Sequence, residues 1–287
     1  MKAISQFVRE YLLALQFFTR IPITGKLAEW AGFSPELLRA SAGHFPGVGF
    51  LVGAVAAAVY AVFQALLPDT TFTPMLAAVL STVATVLLTG GFHEDGLADV
   101  ADGLGGSYNR ERALDIMKDS RVGAFGAMAL VLALLAKVAL LSILAAVEGT
   151  PTGWLDWADG QEAPFETWYI CTALFAAHVT SRLLPLLLIY LLPHVGDTAA
   201  SKSKPLAEQI SPGALLLAFA WCLAALGLAA SVLDAASLMV ACSFAFLALL
   251  WMGRLFKRRL QGFTGDCLGA TQQVCEIAFY LGLAVSL

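Results

Sequence analysis

The stretch PMLAAVLSTVATVLLTGGFHEDGLADVADGLGG, residues 74–106, joins an apolar run to a cluster of acids. The run over residues 74–92 is long enough to cross about 30 Å of hydrocarbon at about 1.5 Å per residue. Four carboxylates follow within nine positions, 94–102. Carboxylates this close repel one another unless a cation lies among them. The stretch therefore predicts a membrane-spanning helix that leads directly into a cation-binding segment.

The composition of the whole chain is that of a membrane protein. Of its 287 residues, 59% are hydrophobic and only 13% are charged, and the mean hydropathy is +0.78. Soluble domains average about 25% charged residues, so this chain has too little polar surface for a water-soluble globule. The five cysteines show no metal-binding spacing, and we interpret them as free structural thiols.

Seven apolar segments are long enough to span a bilayer. They lie at residues 45–67, 74–92, 122–147, 165–192, 213–232, 235–253 and 268–287. Since no internal repeat stands out, we expect a single polytopic membrane domain over residues 1–287. The predicted fold class is an all-α integral membrane protein with about seven transmembrane helices.

Residues 3–18 precede the first span and alternate apolar and polar positions at helical spacing. This pattern predicts an amphipathic helix that lies in the membrane interface. Arg9 and Glu10 interrupt its apolar stretch, and no small-residue cleavage site follows. We therefore do not expect a cleavable secretory signal here.

The positions of the basic residues predict the orientation. The loops at 68–73, 148–164 and 233–234 contain no Lys or Arg, whereas the segments on the other side of the predicted membrane contain many. Basic loops stay in the cytoplasm. We therefore expect a multi-pass protein of the cytoplasmic (inner) membrane with its N-terminus inside. The active-site loops, at 93–121 and 254–273, are then expected to face the cytoplasm.

The acids of the opening stretch have helical spacing. Asp95, Asp99 and Asp102 are related as i, i+4 and i+7, which puts them on one helix face, and Glu94 lies at its edge. Ligands that are all oxygen favour Mg²⁺, Mn²⁺ or Ca²⁺ over zinc. A solvated helix face is the alternative, but such a face rarely contains so much glycine. We predict that the four carboxylates hold a divalent cation of this group.

A second acidic pair, Asp115 and Asp119, is interleaved with Lys118 and Arg121. Carboxylates for a metal beside cations for phosphate are what phosphoryl transfer requires. The alternative for this pair is an amphipathic helix that leads into the third span.

Two basic residues fall within predicted spans. Burying Arg182 costs about 2.5–3.5 kcal/mol on insertion scales, so we expect it to have an internal partner or a bound anion. Lys137 is deeper still, and no partner for it is evident in the sequence. His93 adjoins the acidic cluster and is a candidate to support it, whereas His178 is interpreted as a packed histidine.

Several motifs are distributed along the chain: FFTRIPI (17–23), FPGVGFLVG (45–53), GFHEDGLADVADGLGG (91–106), MKDSRVGAFG (117–126), SR (181–182) and GFTGDCLGATQQ (262–273). In combination they resemble the adenosylcobinamide-GDP ribazoletransferases, also called cobalamin (cobamide) 5′-phosphate synthases. The similarity runs from end to end.

The resemblance implies the attachment of the lower ligand in cobalamin biosynthesis. The adenosylcobinamide-phosphate moiety of adenosylcobinamide-GDP passes to α-ribazole or its 5′-phosphate, GMP leaves, and Mg²⁺ is required. The expected partners are these two substrates and the lipid bilayer, with no nucleic acid. A homo-oligomer is compatible with the sequence.

The resemblance also implies site residues. The metal ligands carried over from the acidic motif are Glu94, Asp95, Asp99 and Asp102. The residues expected to neutralise charge on the phosphates are Lys118, Arg121 and Arg182. Asp119 is the expected general base, because it follows the metal motif in chain order and lies on a separate helical face. The expected substrate-binding residues are Arg20, Thr264, Asp266 and Gln272.

Two alternatives stay open at this stage. DVADG at 99–103 and DIMKD at 115–119 look like parts of the signature of the CDP-alcohol phosphotransferases. The chain lacks the Ala-Arg between those parts, and its spacing there is too short. A cation transporter is the second alternative, but it predicts carboxylates near mid-span, whereas the acids here cluster at the end of a span.

Overall fold

The computed structural model describes residues 2–146, 165–196 and 209–287. Its helices are α1 (Lys2–Phe18), α2 (Gly25–Ala31), α3 (Pro35–Ser41), α4 (Phe45–Leu66), α5 (Thr73–Thr89), α6 (Phe92–Gly106), α7 (Arg110–Met117), α8 (Ala124–Leu144), α9 (Phe165–Leu191), α10 (Pro212–Ala229), α11 (Ala235–Arg259) and α12 (Gly265–Val285). Within the described residues, the β geometry is limited to an isolated bridge between His194 and Phe263. The predicted all-α fold is confirmed.

The spans agree with the apolar segments of the sequence. Six stretches of helix are long and apolar enough to cross a membrane, and α5 with α6 passes the same test as a bent pair. The all-α membrane architecture with about seven spans is therefore confirmed. α1 is helical as predicted, with Leu13, Ala14 and Phe18 among its buried residues. Its location in the interface and the orientation of the protein stay predictions.

Short polar side chains begin the last three long helices. Ser211, Asp234 and Thr264 each accept a hydrogen bond from the backbone N–H three residues later, at 3.1, 3.0 and 3.4 Å. These contacts satisfy N–H groups that have no partner within a helix. Each of these helices therefore begins at a defined residue.

A sharp bend separates the second predicted span from the acidic motif. α5 ends at Thr89, and α6 leaves it at an angle of 90°. Gly90 and Gly91, with φ of +72° and +69°, make the turn. Two consecutive left-handed residues suit glycine, which has no Cβ to oppose this conformation. As a result α6 turns back against α12, α8 and α7 instead of extending α5.

α9 is the central helix. It packs against α4, α8, α10, α11 and α12, and 78% of its most apolar stretch is buried inside the protein, against 17% for α8. α12 is next, at 61%. Polar residues on these two helices therefore face protein, and the site described below is built from them and from α6.

Candidate active site

Four carboxylates form an acidic face where α6 meets the start of α12. This acidic face consists of Glu94, Asp95, Asp99 and Asp266. Asp99 is half-buried and interacts electrostatically with Asp266, Asp95 and Asp102. The backbone of Asp266 abuts α6 at Gly96. Packing thus brings Asp266, which was predicted as a substrate contact, into the predicted metal stripe.

Asp102, the last acid of the stripe, also has backbone partners on the next span. Its Oδ2 accepts a hydrogen bond from the backbone N–H of Gly123 at 2.7 Å, and its Oδ1 accepts one from Gly126 at 2.8 Å. The side chain is only 8% exposed. A carboxylate at a helix N-terminus is stabilised by the helix dipole. Asp102 therefore fastens the start of α8 to α6, and its role as a metal ligand stays a prediction.

Glu94 has one engaged oxygen and one without a partner. Its Oε1 accepts a hydrogen bond from Gln273 Nε2 at 3.0 Å. Its Oε2 is buried and has no hydrogen-bond partner among the described residues. A buried carboxylate oxygen is costly to leave unpaired. The position suits a cation or a donor on a substrate.

The side chains of the acidic face are chemically suitable ligands for Mg²⁺. All of them are carboxylates, and Mg²⁺ is commonly held by one or two protein carboxylates, with substrate phosphates and water completing its coordination shell. Within residues 2–146, 165–196 and 209–287, no three His, Cys, Asp or Glu side chains converge closely enough to hold a metal. A site that is completed by substrate needs no such convergence. Magnesium binding stays a prediction.

A cavity of about 590 Å³, the charged cavity, opens beside Glu94 and Asp95. The end of α1, the α5–α6 bend and the start of α8 enclose it. Arg20 lines it, with its backbone N–H bonded to Leu88 O at 2.7 Å and its exposed side chain against Gly90. A permanent cation and two carboxylates therefore share one cavity, which supports the prediction that Arg20 binds substrate.

The predicted active-site loops are largely helical. α6 and α7 occupy most of residues 93–121, and residues 254–273 belong mainly to α11 and α12, so that only a short connection separates the last two helices. Thr264, in that connection, caps α12 and donates its hydroxyl to Asp266 Oδ2 at 3.3 Å. Thr264 therefore orients a carboxylate of the acidic face.

The basic segment after α7 is exposed. Arg121 and Asp119 pair with each other, with Nη2 and Oδ2 2.5 Å apart, and Lys118 directly follows α7. The hydrogen bonds from the side chain and backbone of Arg121 lower the pKa of Asp119 to about 2. Such a carboxylate is a weak base near neutral pH. The geometry therefore does not favour Asp119 as the general base, and that role stays a prediction.

A buried polar network connects α8, α9 and α12. Lys137 Nζ lies 2.6 Å from Glu276 Oε1. Glu276 Oε2 contacts His178 Nδ1 at 3.2 Å and accepts a hydrogen bond from Gln272 Nε2 at 2.6 Å. Sequence reasoning found no partner for Lys137 and missed Glu276. The available signal was the spacing of Gln272, Glu276 and Tyr280, which puts polar groups on one face of a span.

Arg182 belongs to the same network. It is 2% exposed and donates from Nη1 to His178 O at 2.8 Å, with its guanidinium 5.7 Å from the centroid of the Phe45 ring. The expectation of an internal partner is confirmed. Its contact with phosphate stays a prediction.

The network reaches the acidic face through two glutamines. Gln272 Nε2 also bonds Ser181 Oγ, and Gln273 Nε2 bonds both Gln272 Oε1 and Glu94 Oε1, each at 3.0 Å. Gln272, predicted to bind substrate, is fully buried and has these protein partners, and its contact with substrate stays a prediction. Packing of α12 against α6 and α9 therefore explains its polarity without a ligand.

Comparison with known proteins identifies the family. The model of the family described as cobalamin-5-phosphate synthase matches residues 10–284. The chain belongs to this family. It is 74% identical to the adenosylcobinamide-GDP ribazoletransferase of Polaromonas sp. strain JS666 over the whole of both chains. Identity to the proteins of that name is 44% in Leptothrix cholodnii (98% of this chain, 97% of the relative) and 39% in Vibrio cholerae (98% and 95%).

No solved structure matches the chain. Family membership confirms the resemblance seen in the motifs, and it supports neither the CDP-alcohol phosphotransferase nor the cation transporter. The acidic face, the charged cavity and the buried network all lie within the matched residues.

Proposed function

We propose that this protein is an adenosylcobinamide-GDP ribazoletransferase. A ribose hydroxyl of α-ribazole, or of its 5′-phosphate, attacks the cobinamide-side phosphorus of adenosylcobinamide-GDP. A P–O bond forms to that hydroxyl, the P–O bond to GMP breaks, and the hydroxyl proton passes to a carboxylate of the acidic face. The observation that carries the proposal is membership of the family over residues 10–284.

The charged cavity suits the pyrophosphate of the donor. Phosphoryl transfer depends on positioning and on compensation of negative charge. Arg20 supplies a permanent cation on one wall, and Glu94 and Asp95 lie on another. Mg²⁺, held by carboxylates of the acidic face when bound, would neutralise charge on the phosphates. Arg20 would bind phosphate oxygens of the donor. The hydrogen bond from the Thr264 hydroxyl orients the Asp266 carboxylate within the acidic face.

The distribution of Lys and Arg among the loops indicates where the site lies relative to the membrane. We propose that the protein lies in the cytoplasmic (inner) membrane and that the charged cavity opens to the cytoplasm, where nucleotides and Mg²⁺ are abundant. The absence of Lys and Arg from the loops at 68–73, 148–164 and 233–234 supports this orientation. The orientation is checked by placing single cysteines in these loops and labelling them in intact cells.

The activity is tested with full-length protein in vesicles. Adenosylcobinamide-GDP, α-ribazole and Mg²⁺ are supplied, and GMP and cobamide are measured, with a CDP-alcohol in a parallel reaction. Arg20→Ala should lower kcat/KM for adenosylcobinamide-GDP by about 10–100-fold, the value of one hydrogen bond to a charged group. Arg39→Ala, which removes an exposed arginine paired with Glu36, is the matched control. Wild-type protein that forms no cobamide would refute the proposal.

A further inference from the structure

The C-terminal end of α11 carries a dense group of cations. Four basic residues fall within six positions, 254–259, and no Asp or Glu occurs between positions 235 and 265. Arg254, Lys257 and Arg258 are exposed. None of these three side chains forms an ion pair within the part of the chain that the structure describes. Their charge is therefore available to a partner outside the protein.

Arg259, the fourth basic residue, has its partners inside the protein. Its Nη2 donates to Leu104 O at 3.1 Å and to Ser107 O at 2.6 Å, at the end of α6. Its guanidinium also lies 4.8 Å from the centroid of the Tyr108 ring. These contacts anchor the end of α11 to the bundle. The three exposed cations are consequently held on an anchored helix.

Two of the exposed cations continue an apolar stripe that faces away from the protein. This outer stripe consists of Leu247, Trp251, Arg254 and Arg258, related as i, i+4, i+7 and i+11. That spacing puts them on one face of α11. Leu247 and Trp251 are 60% and 58% exposed, whereas Phe256 on the opposite face is fully buried. Since α11 is long and apolar enough to cross a membrane, the apolar part of the outer stripe is expected to contact lipid.

The order of residues along the outer stripe matches the layers of a bilayer. Tryptophan is enriched at the boundary between hydrocarbon and headgroups. Arg254 and Arg258 follow Trp251 by about 4.5 and 10.5 Å along the helix axis, at about 1.5 Å per residue. The headgroup layer on each side of the hydrocarbon is about 5–7 Å thick. Both guanidinium groups, on long flexible side chains, can therefore reach the phosphates of lipid headgroups.

We propose that the outer stripe binds an anionic phospholipid, with the headgroup phosphate at Arg254 and Arg258 and an acyl chain along Leu247 and Trp251. The planar guanidinium group suits phosphate, because it donates two parallel hydrogen bonds to its oxygens. Lys257, on the flank of the stripe, adds a third positive charge. This inference does not depend on the proposed activity.

Two other phosphate sources fit the outer stripe less well. A zwitterionic headgroup carries its own cation, which opposes the charge of the stripe. A water-soluble phosphate would pair with the guanidinium groups but would leave the exposed side chains of Leu247 and Trp251 without a contact. Only an anionic lipid matches both the charged and the apolar part of the stripe.

Competition between lipids tests the proposal on the full-length protein. The protein in a non-ionic detergent is equilibrated with equal amounts of phosphatidylglycerol and phosphatidylcholine, and the retained lipids are counted by native mass spectrometry. We expect retention to favour phosphatidylglycerol by about fivefold or more. One cation near an anionic surface contributes about 1 kcal/mol, which is about fivefold in binding. Equal retention of the two lipids would overturn the inference.

Paired double variants locate the preference. Arg254→Gln with Arg258→Gln should lower the preference by about fivefold or more. The matched control is Arg39→Gln with Arg112→Gln, which removes the same charge from exposed positions on other helices and should change the preference by less than about twofold. An equal fall in both double variants would show a general attraction by charge and would refute a site on α11.

Two measurements keep the test decisive if the glutamine variant does not fold. Arg254→Lys with Arg258→Lys keeps the charge and should retain about half of the preference or more, so its complete loss would contradict the electrostatic argument. In the unmodified protein, an excess of glycerol phosphate should not displace the bound lipid. Displacement would show that the stripe binds soluble phosphates and would overturn the assignment to lipid. Because no cobamide is measured, failure of the proposed activity leaves these outcomes unaffected.

Discussion

Neutralising Glu276 should cost the protein much of its stability. Glu276 and Lys137 are 1% and 4% exposed, with Nζ and Oε1 2.6 Å apart. Glu276→Gln keeps the size of the side chain and leaves Lys137 buried without this countercharge. Breaking a buried ion pair by removing one partner costs about 3–5 kcal/mol. We expect a loss of this size in the free energy of unfolding.

Removing the charge of Lys137 should destabilise the protein less than removing the charge of Glu276. The double variant should lose less free energy of unfolding than the two single variants lose in sum. In Lys137→Met, Glu276 keeps contacts with His178, Gln272 and Tyr280. When both charges are removed, no ion is left uncompensated. A double-mutant cycle should therefore yield a coupling energy of about 2–3 kcal/mol, near the upper end for residues in contact.

The assay is unfolding of the purified protein in mixed micelles by increasing SDS, followed by tryptophan fluorescence. Glu36→Gln is the control, because Glu36 pairs with Arg39 at the surface, where ion pairs contribute little. A loss for Glu276→Gln no larger than for Glu36→Gln, or an additive cycle, would show that the buried pair does not stabilise the fold.

Three further outcomes are expected. Gly126→Ala should sharply reduce folded yield and GMP release, because its Cβ would collide with the Asp102 carboxylate, whereas Gly227→Ala, with open space around it, should be harmless. Equal folded yields of the two variants would contradict the conclusion that Asp102 holds the start of α8 against α6. Asp119→Asn should leave the pH profile of kcat/KM unchanged between pH 5 and 9, because the depressed pKa of about 2 keeps Asp119 ionised throughout. If Asp119→Asn removed one limb of the pH profile of kcat/KM, Asp119 would be the general base. Asp99→Asn should raise the Mg²⁺ concentration needed for half-maximal GMP release by about tenfold or more, and an unchanged requirement would remove Asp99 from the metal site.

The spans were predictable because apolar length is a local property of the chain. In a bilayer every backbone polar group must be satisfied within the segment, so a long apolar run becomes a helix. The helix of the second predicted span ends at Thr89, three residues before the predicted boundary at 92, and this difference has a local cause as well. Gly90 and Gly91 adopt left-handed conformations that hydropathy does not record.

Partners across the bundle were not predictable. Gln272, Gln273 and Glu276 made the last span look polar, but nothing in the chain between them and Lys137 indicates that α12 would pack against α8. The same holds for Asp102, whose spacing matches the metal stripe while its oxygens bind the backbone of Gly123 and Gly126.

The sequence by itself therefore determined the helical membrane fold, the one-sided run of acids on α6 and, through its motifs, the family. The tertiary structure decided which of those acids share a face with Asp266, which one fastens α8, and what neutralises Lys137. The division has a physical reason. Helix length and periodicity depend on neighbours along the chain, whereas charge compensation and cavity shape depend on which helix faces meet in space.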